Sequence, residues 1–234
     1  MEIHFIKMQG AGNDYIYLDG LEKSIPPIAV ASLCDRHYGV GGDGVVIILP
    51  YAKGDAFMRM FNLDGSEGNM CGNAIRCVGR YLHEKTGKKQ FVIGTKSGDK
   101  RLRIEGDKVV ADMGIPRFLR REKGADFILV GNPHAVLYGK KNLKKGSRLQ
   151  KKYDVNVEFY TPEIVEVYER GSGETLSCGT GACAVAVSLV QRGIRKRGEW
   201  ISIPMRGGIL EVFWGERIFL RGEGKKVFEG RVVL

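Results

Sequence analysis

Asn62-Leu63-Asp64-Gly65-Ser66-Glu67 runs on to Cys71-Gly72-Asn73-Ala74, and a hundred residues later Glu169-Arg170-Gly171-Ser172-Gly173-Glu174 runs on to Cys178-Gly179-Thr180-Gly181 over the same spacing. In each copy a polar residue ends a strand-like run, a glycine-rich loop follows, and a Cys-Gly pair opens a stretch of small and aliphatic residues with helical character. Chance could produce either copy. Together they form a weak internal repeat, which predicts two similar lobes, each contributing one thiol and one helix N-terminus.

The flanking sequence supports that division. Residues 4–8 and 15–18 read as strands joined through Gly10, Gly12 and Asn13, with a helix expected over 27–36. Glycines 39, 41, 42 and 44 precede an apolar strand over 45–49. A second strand, 56–62, leads to the first Cys-Gly pair and a helix over 74–84. Strands at 90–95, 101–105 and 108–113 form a meander, and the charged, aperiodic stretch 116–126 is the expected crossing between lobes. The pattern then restarts, with strands at 127–130 and 135–138 around Gly131-Asn132-Pro133-His134. A polar, lysine-rich connection leads to strands at 156–160 and 163–168, and the second Cys-Gly pair opens a helix over 180–192. Short strands at 200–203, 209–214, 217–221 and 227–234 complete the chain. The reading is a mixed α/β protein of two similar lobes.

Composition narrows the function. The chain has 234 residues and a formal charge of +10, from 37 Lys and Arg against 27 Asp and Glu. The excess gathers in short runs, Lys140, Lys141, Lys144, Lys145, Lys151 and Lys152, then Arg195, Lys196 and Arg197. No aromatic residues are interleaved as a nucleic-acid stacking platform requires, so solvated surface is the expectation. The first nineteen residues lack the unbroken apolar stretch of a signal peptide, and 182–190 is too short to span a bilayer. A cytoplasmic protein is expected, with its five cysteines as free thiols and Cys34, Cys77 and Cys183 in the core.

A helix N-terminus carries unpaired N–H groups and the positive end of the dipole, which draws a cysteine toward thiolate and holds anions. Two copies of such an end, with Gly72 and Gly179 allowing close backbone approach, suit inversion at a carbon bearing a carboxylate: one thiolate takes the α-proton and the other thiol returns one from the opposite face. Directed backbone donors would stabilise the charge that builds on the carboxylate. No CxxC is present, and His134 alone does not complete a zinc set. From residues alone, a redox pair of thiols remains a competing reading, as does a basic nucleic-acid-binding protein.

The ordered motifs resemble the diaminopimelate epimerase family. They are Gly12-Asn13-Asp14-Tyr15, Asn62 to Gly65 with Cys71-Gly72-Asn73-Ala74-Ile75-Arg76-Cys77, Gly131-Asn132-Pro133-His134, Asn156-Val157-Glu158-Phe159, and Glu169 to Thr175 with Cys178-Gly179-Thr180-Gly181-Ala182-Cys183-Ala184. The resemblance implies two pseudo-symmetric lobes, each a curved mixed sheet around a central helix: residues 1–112 with 225–234, and 113–224, with the active site in the cleft between them. It implies cofactor-independent interconversion of LL- and meso-2,6-diaminopimelate in lysine biosynthesis, with no metal and with a homodimer as the assembly. Cys71 and Cys178 match the two catalytic cysteines. His134 and Glu169 take supporting roles. Asn13, Asn62, Gly72, Asn73, Asn132, Asn156, Glu169, Arg170, Gly179 and Thr180 match substrate-binding positions; the Arg170 fork could also pair with a carboxylate through two parallel hydrogen bonds. The chain departs from the family in its short connection between Tyr138 and Asn156, and in Gly44, where some members present a Gln. These departures leave open a racemase of broader specificity, accepting lysine or another long amino acid.

Overall fold

The computed structural model describes residues 2–26, 28–170 and 173–233. Pro27 of the expected first helix, Gly171 and Ser172 of the second loop, and Leu234 of the last expected strand lie outside the described residues. The chain divides into two compact units, residues 1–111 with 223–234, and residues 112–222.

The first unit contains β1 (Glu2–Gly10), β2 (Asn13–Asp19), α1 (Val30–Cys34), β3 (Gly44–Leu49), β4 (Ala56–Asn62), β5 (Glu67–Gly68), α2 (Gly72–Thr86), β6 (Gln90–Gly94), β7 (Lys100–Glu105) and β8 (Lys108–Gly114). The second contains β9 (Arg117–Glu122), β10 (Ala125–Val130), β11 (Asn132–Tyr138), α3 (Leu143–Tyr153), β12 (Asn156–Tyr160), β13 (Val165–Glu169), β14 (Gly173–Thr175), α4 (Gly179–Gln191), β15 (Trp200–Met205), β16 (Gly208–Trp214) and β17 (Ile218–Glu223). The last strand, β18 (Lys225–Val233), returns to the first unit and pairs with β1.

The two units repeat one pairing scheme. In the first, β18 runs antiparallel to β1, β1 antiparallel to β2, β2 parallel to β3, β3 antiparallel to β4, β4 parallel to β6, and β6 to β8 form an antiparallel meander. In the second, β9, β10, β11, β12, β13, β15, β16 and β17 follow with the same senses in the same order. Each parallel step needs a crossover, and a helix supplies every one: α1 and α3 at the first step, α2 and α4 at the second. The registers Tyr15 to Gly44 and His134 to Asn156 align the copies residue by residue. They set Asn13 with Asn132, Tyr15 with His134, Gly44 with Asn156, Val46 with Glu158, Asn62 with Glu169, and Cys71 with Cys178.

Alternation along the strands gives each sheet two faces. Ile16 and Leu18 pack with Val30, Leu33 and Cys34 of α1, while Tyr17 turns the other way and donates its hydroxyl to the Ala74 carbonyl of α2 at 3.1 Å. In the second unit, Phe127, Ala135, Leu137, Val157 and Phe159 pack against Leu149 and Tyr153 of α3. The opposite face meets α4, whose residues from Gly179 to Leu189 are all buried. A central helix in each unit thereby packs on its own sheet, and its N-terminus lies beside the ends of the strands that carry the polar motifs.

Three expectations need correction. The first helix is one short turn, Val30–Cys34, not 27–36, because Asp35 is extended and its side chain accepts from the His37 and Tyr38 amides instead. The stretch 116–126 is not an aperiodic crossing: it holds β9 and the start of β10, with Arg121 reaching the buried Asp126 at 2.6 Å. The lysine-rich connection contains α3. Asn142 caps it by accepting from Lys145 N at 2.9 Å, Lys151 and Lys152 sit favourably at its C-terminal end, and its apolar stripe is narrow, with Gly146 set closely over Phe159.

Candidate active site

In the first unit the turn through Ala11 and Gly12, both at positive φ, delivers Asn13 to the start of β2. Asp43 Oδ2 accepts from Asn13 Nδ2 at 3.2 Å and from the Asp14 amide at 3.1 Å, while Asn13 Oδ1 accepts from Asn73 Nδ2. The amide of Asn13 is thus oriented from both ends. Behind it, Asp14 pairs with the buried Lys7 at 2.5 Å and with Arg36 at 2.6 Å. Burial works to raise the Asp14 carboxyl, but the two cations more than offset it and hold it below its ordinary value. Cys71 is half-buried and extended, immediately before the first turn of α2, with Gly72 and Asn73 buried behind it. Asn62 ends β4 on an exposed loop, where its Nδ2 donates to Ser66 Oγ at 2.9 Å.

The second unit builds the corresponding arrangement with more charge. Gly131, at φ 69°, turns the chain into Asn132 and β11. His134 is fully buried, and its Nδ1 lies 2.7 Å from Glu158 Oε1. Asn156 Oδ1 accepts from the Arg170 amide at 2.8 Å, while the Arg170 guanidinium is half-exposed and pairs with Asp154 at 2.6 Å. Glu169 accepts from Thr175 Oγ1. Burial pushes the Glu169 carboxyl up, with hydrogen bonds to Thr175 and Cys178 opposing it. Cys178 sits in an extended conformation at the start of α4; its Sγ accepts from the Gly181 amide at 3.3 Å and lies 3.4 Å from Thr180 Oγ1.

Cys178 reverses one expectation. A helix start was expected to draw the thiol toward thiolate; instead burial, followed by the charges of Glu169 and Glu158, drives Cys178 well above the ordinary cysteine value, and the Thr180 and Gly181 contacts only partly counter this. Cys34, Cys77 and Cys183 are buried thiols outside any disulfide, the first two pushed up to about 11, chiefly by burial. Glu158 was not singled out from the sequence. Its signal was present: a carboxylate between Val157 and Phe159 in a strand that is buried throughout.

The motifs around both thiols fall within a family model for diaminopimelate epimerase, which matches residues 5–119 and 127–227. The chain belongs to the diaminopimelate epimerase family. It is 40% identical to the diaminopimelate epimerase of Methanococcus maripaludis strain C6, covering 97% of this chain and 99% of the relative, and 37% identical to that of Desulfovibrio desulfuricans, covering 97% of both. The alignment with the Methanococcus protein runs over 278 positions against 234 residues here, so this diaminopimelate epimerase family member lacks segments that its relative carries. Solved structures share the fold at low identity: a predicted epimerase from Pseudomonas aeruginosa (TM-score 0.79, 15% identity, 99% of both chains) and a hydroxyproline epimerase from Agrobacterium vitis (TM-score 0.71, 15% identity, 99% of this chain and 92% of the other). Among the described residues, no helix is long and apolar enough to cross a membrane.

Proposed function

We propose that this chain interconverts LL- and meso-2,6-diaminopimelate in lysine biosynthesis, with Cys71 and Cys178 as the two acid/base groups and no cofactor. The observation that carries the reading is the paired placement of the two cysteines: each immediately precedes the first turn of the central helix in one of two units that repeat the same strand order. In one direction Cys71, as thiolate, takes the α-proton and Cys178, as thiol, delivers one to the opposite face; the roles exchange in reverse. Burial among Glu169 and Glu158 suits Cys178 to hold a proton until it is needed. The helix-start amides at Gly72-Asn73 and Gly179-Thr180 receive the charge that develops on the reacting carboxylate. Asn13, Asn62, Asn132, Asn156 and Arg170 bind the rest of the substrate, Arg170 exchanging Asp154 for a substrate carboxylate. His134 and Glu169 orient the reacting centre. The family resemblance supports a cytoplasmic homodimer as the working form.

The second reading, a racemase of broader specificity, is favoured by Gly44, which presents no side chain where Asn156 stands in the other unit. Stereochemical inversion and α-deuterium incorporation, followed in deuterated water under reducing conditions, separate the two. The expected result is fast exchange with LL-diaminopimelate, little with L-lysine, and loss in both Cys71→Ala and Cys178→Ala. Comparable turnover of lysine would establish the second reading, and no exchange with either substrate would overturn both.

A further inference from the structure

His134 and Glu158 are each fully buried, and among the described residues the one hydrogen bond of either side chain joins them, Nδ1 to Oε1 at 2.7 Å. Among the described residues, His134 Nε2 and Glu158 Oε2 have no partner. A bond of this kind holds one proton, which belongs either to the imidazole, with the carboxylate ionised, or to the carboxyl, with Nδ1 as acceptor. A methyl group at Gly181 would lie 2.5 Å from Glu158 Oε1, so the carboxyl group packs directly against the first turn of α4, at the positive end of its dipole. The arrangement this packing suits is Nδ1–H donating to Oε1.

We propose that Glu158 is a positioning residue for the reaction: it fixes His134 as the Nδ1–H tautomer, so that Nε2 presents a lone pair that accepts a hydrogen bond from the substrate's α-ammonium group. The proposal rests on the reading of Cys178 as a reacting thiol, because His134, Asn156 and Glu169 share the sheet face that meets the helix opening at Cys178. Among the described residues, the other ionisable groups turned toward α4 include Glu169 on β13, Asp126 on β10 and Tyr138 on β11, whose hydroxyl lies 2.9 Å from Ser188 Oγ, with Cys178 at the start of α4 and Cys183 within it. Asp126 is already bound by Arg121, Arg192 and Ser188 and is no rival partner for the imidazole.

Comparison of the two units separates this role from folding. The first unit has Tyr15 at the place of His134, Val46 at the place of Glu158 and Ala74 at the place of Gly181, and it forms the same strand order without a carboxyl-bound imidazole. Glu158 and Gly181 form a matched exchange, in which a longer acidic side chain is accommodated by loss of the facing methyl.

The test is ¹⁵N NMR of the histidine rings in the full chain at neutral pH, with the His134 signals assigned by their loss in His134→Asn, alongside steady-state kinetics. The wild type should show protonated Nδ1 and unprotonated Nε2 at His134. Glu158→Val, which installs the residue of the other unit, should release the tautomer and lower kcat on the order of 10- to 100-fold with a much smaller change in KM. Glu158→Gln, which can still accept from Nδ1, should recover most of kcat. Gly181→Ala, which crowds Oε1 without altering either partner, should perturb the ring signals in the same direction as Glu158→Val if that variant does not fold. A wild-type His134 protonated at Nε2, or a Glu158→Val enzyme with unchanged kcat, would overturn the proposal. The ring signals do not depend on turnover, so the expected tautomer in a protein inactive on diaminopimelate would indict the substrate assignment and leave the positioning geometry standing.

Discussion

Gly44 and Asn156 hold the same place in the two units, each opening the strand that pairs in parallel with its neighbour, yet only one of them can carry a side chain. A methyl at Gly44 would lie 2.1 Å from the Phe61 carbonyl oxygen, whereas the Asn156 amide reaches the Arg170 N–H at 2.8 Å. Because the obstructing atom belongs to a paired strand, Gly44→Ala should destabilise the chain by about 1–3 kcal/mol, lowering Tm by several degrees in thermal denaturation. An unchanged Tm would show that β4 yields more easily than its pairing suggests.

Asp126 is the acid-sensitive point of the second unit. Burial tends to raise its carboxyl, but hydrogen bonds from Arg121, Arg192 and Ser188 overcome this and hold it below its ordinary value. A depressed folded-state value means that this contribution is complete above the unfolded carboxylate range, about pH 4, and is lost as pH falls through the folded value. Asp126→Asn should flatten the acid limb of a urea-midpoint-against-pH curve. It should also destabilise the protein at pH 7 by about 3 kcal/mol, because the two guanidinium groups lose their common counter-charge. A parallel acid limb in the variant would count against Asp126 as its source.

The alkaline limb has a different origin. Cys77 is fully buried on α2 and is pushed up to about 11, principally by burial, from an ordinary value of 9.0. The folded chain therefore keeps a proton that the unfolded chain releases. The unfolded state binds fewer protons, so stability falls as pH rises from about 9 toward 11, with a limiting slope near 1.4 kcal/mol per pH unit for one thiol. Cys77→Ala should be less stable at neutral pH from lost packing, but should show a shallower fall over this window.

Cys178 should resist alkylation. With its thiol well above the ordinary range, iodoacetamide at pH 8 should modify it far more slowly than an unstructured cysteine peptide, as read by mass spectrometry of the substrate-free protein. Glu169→Gln removes one of the charges that raise it and should accelerate the modification. Rapid labelling of wild-type Cys178 would mean that the helix dipole outweighs burial there.

Much of this architecture is visible in sequence because it rests on local punctuation. The two Cys-Gly helix starts, the turns at Gly12 and Gly131, and the apolar strands β3 and β12 each declare themselves within a few residues. The mixed two-lobe fold follows from finding them twice. What could not be read locally depends on contacts between distant segments. Helix α3 escaped notice because Leu149 and Tyr153 give it only a narrow apolar stripe among lysines, and the sheet beneath them supplies the rest of the stabilisation. β9 is almost wholly exposed, so no buried face imposes a period-two pattern on it. At the site, the contact of Asn13 with Asn73 is set by how α2 packs on the sheet, and that of His134 with Glu158 by strand register. The sign of the Cys178 shift likewise follows from tertiary burial first, and then from Glu169 and Glu158, which two other strands bring to the helix start.

The return of β18 to the first unit has a consequence for the birth of the protein. The position beside β1 that β18 fills corresponds to the one that β9 fills beside β10, but β9 directly precedes its partner whereas β18 follows every strand of the second unit. The second half therefore holds all its strands in one continuous run of chain. The first half must wait with one flank of β1 unpaired until the whole of the second has been made, so that the half synthesised first is the half completed last.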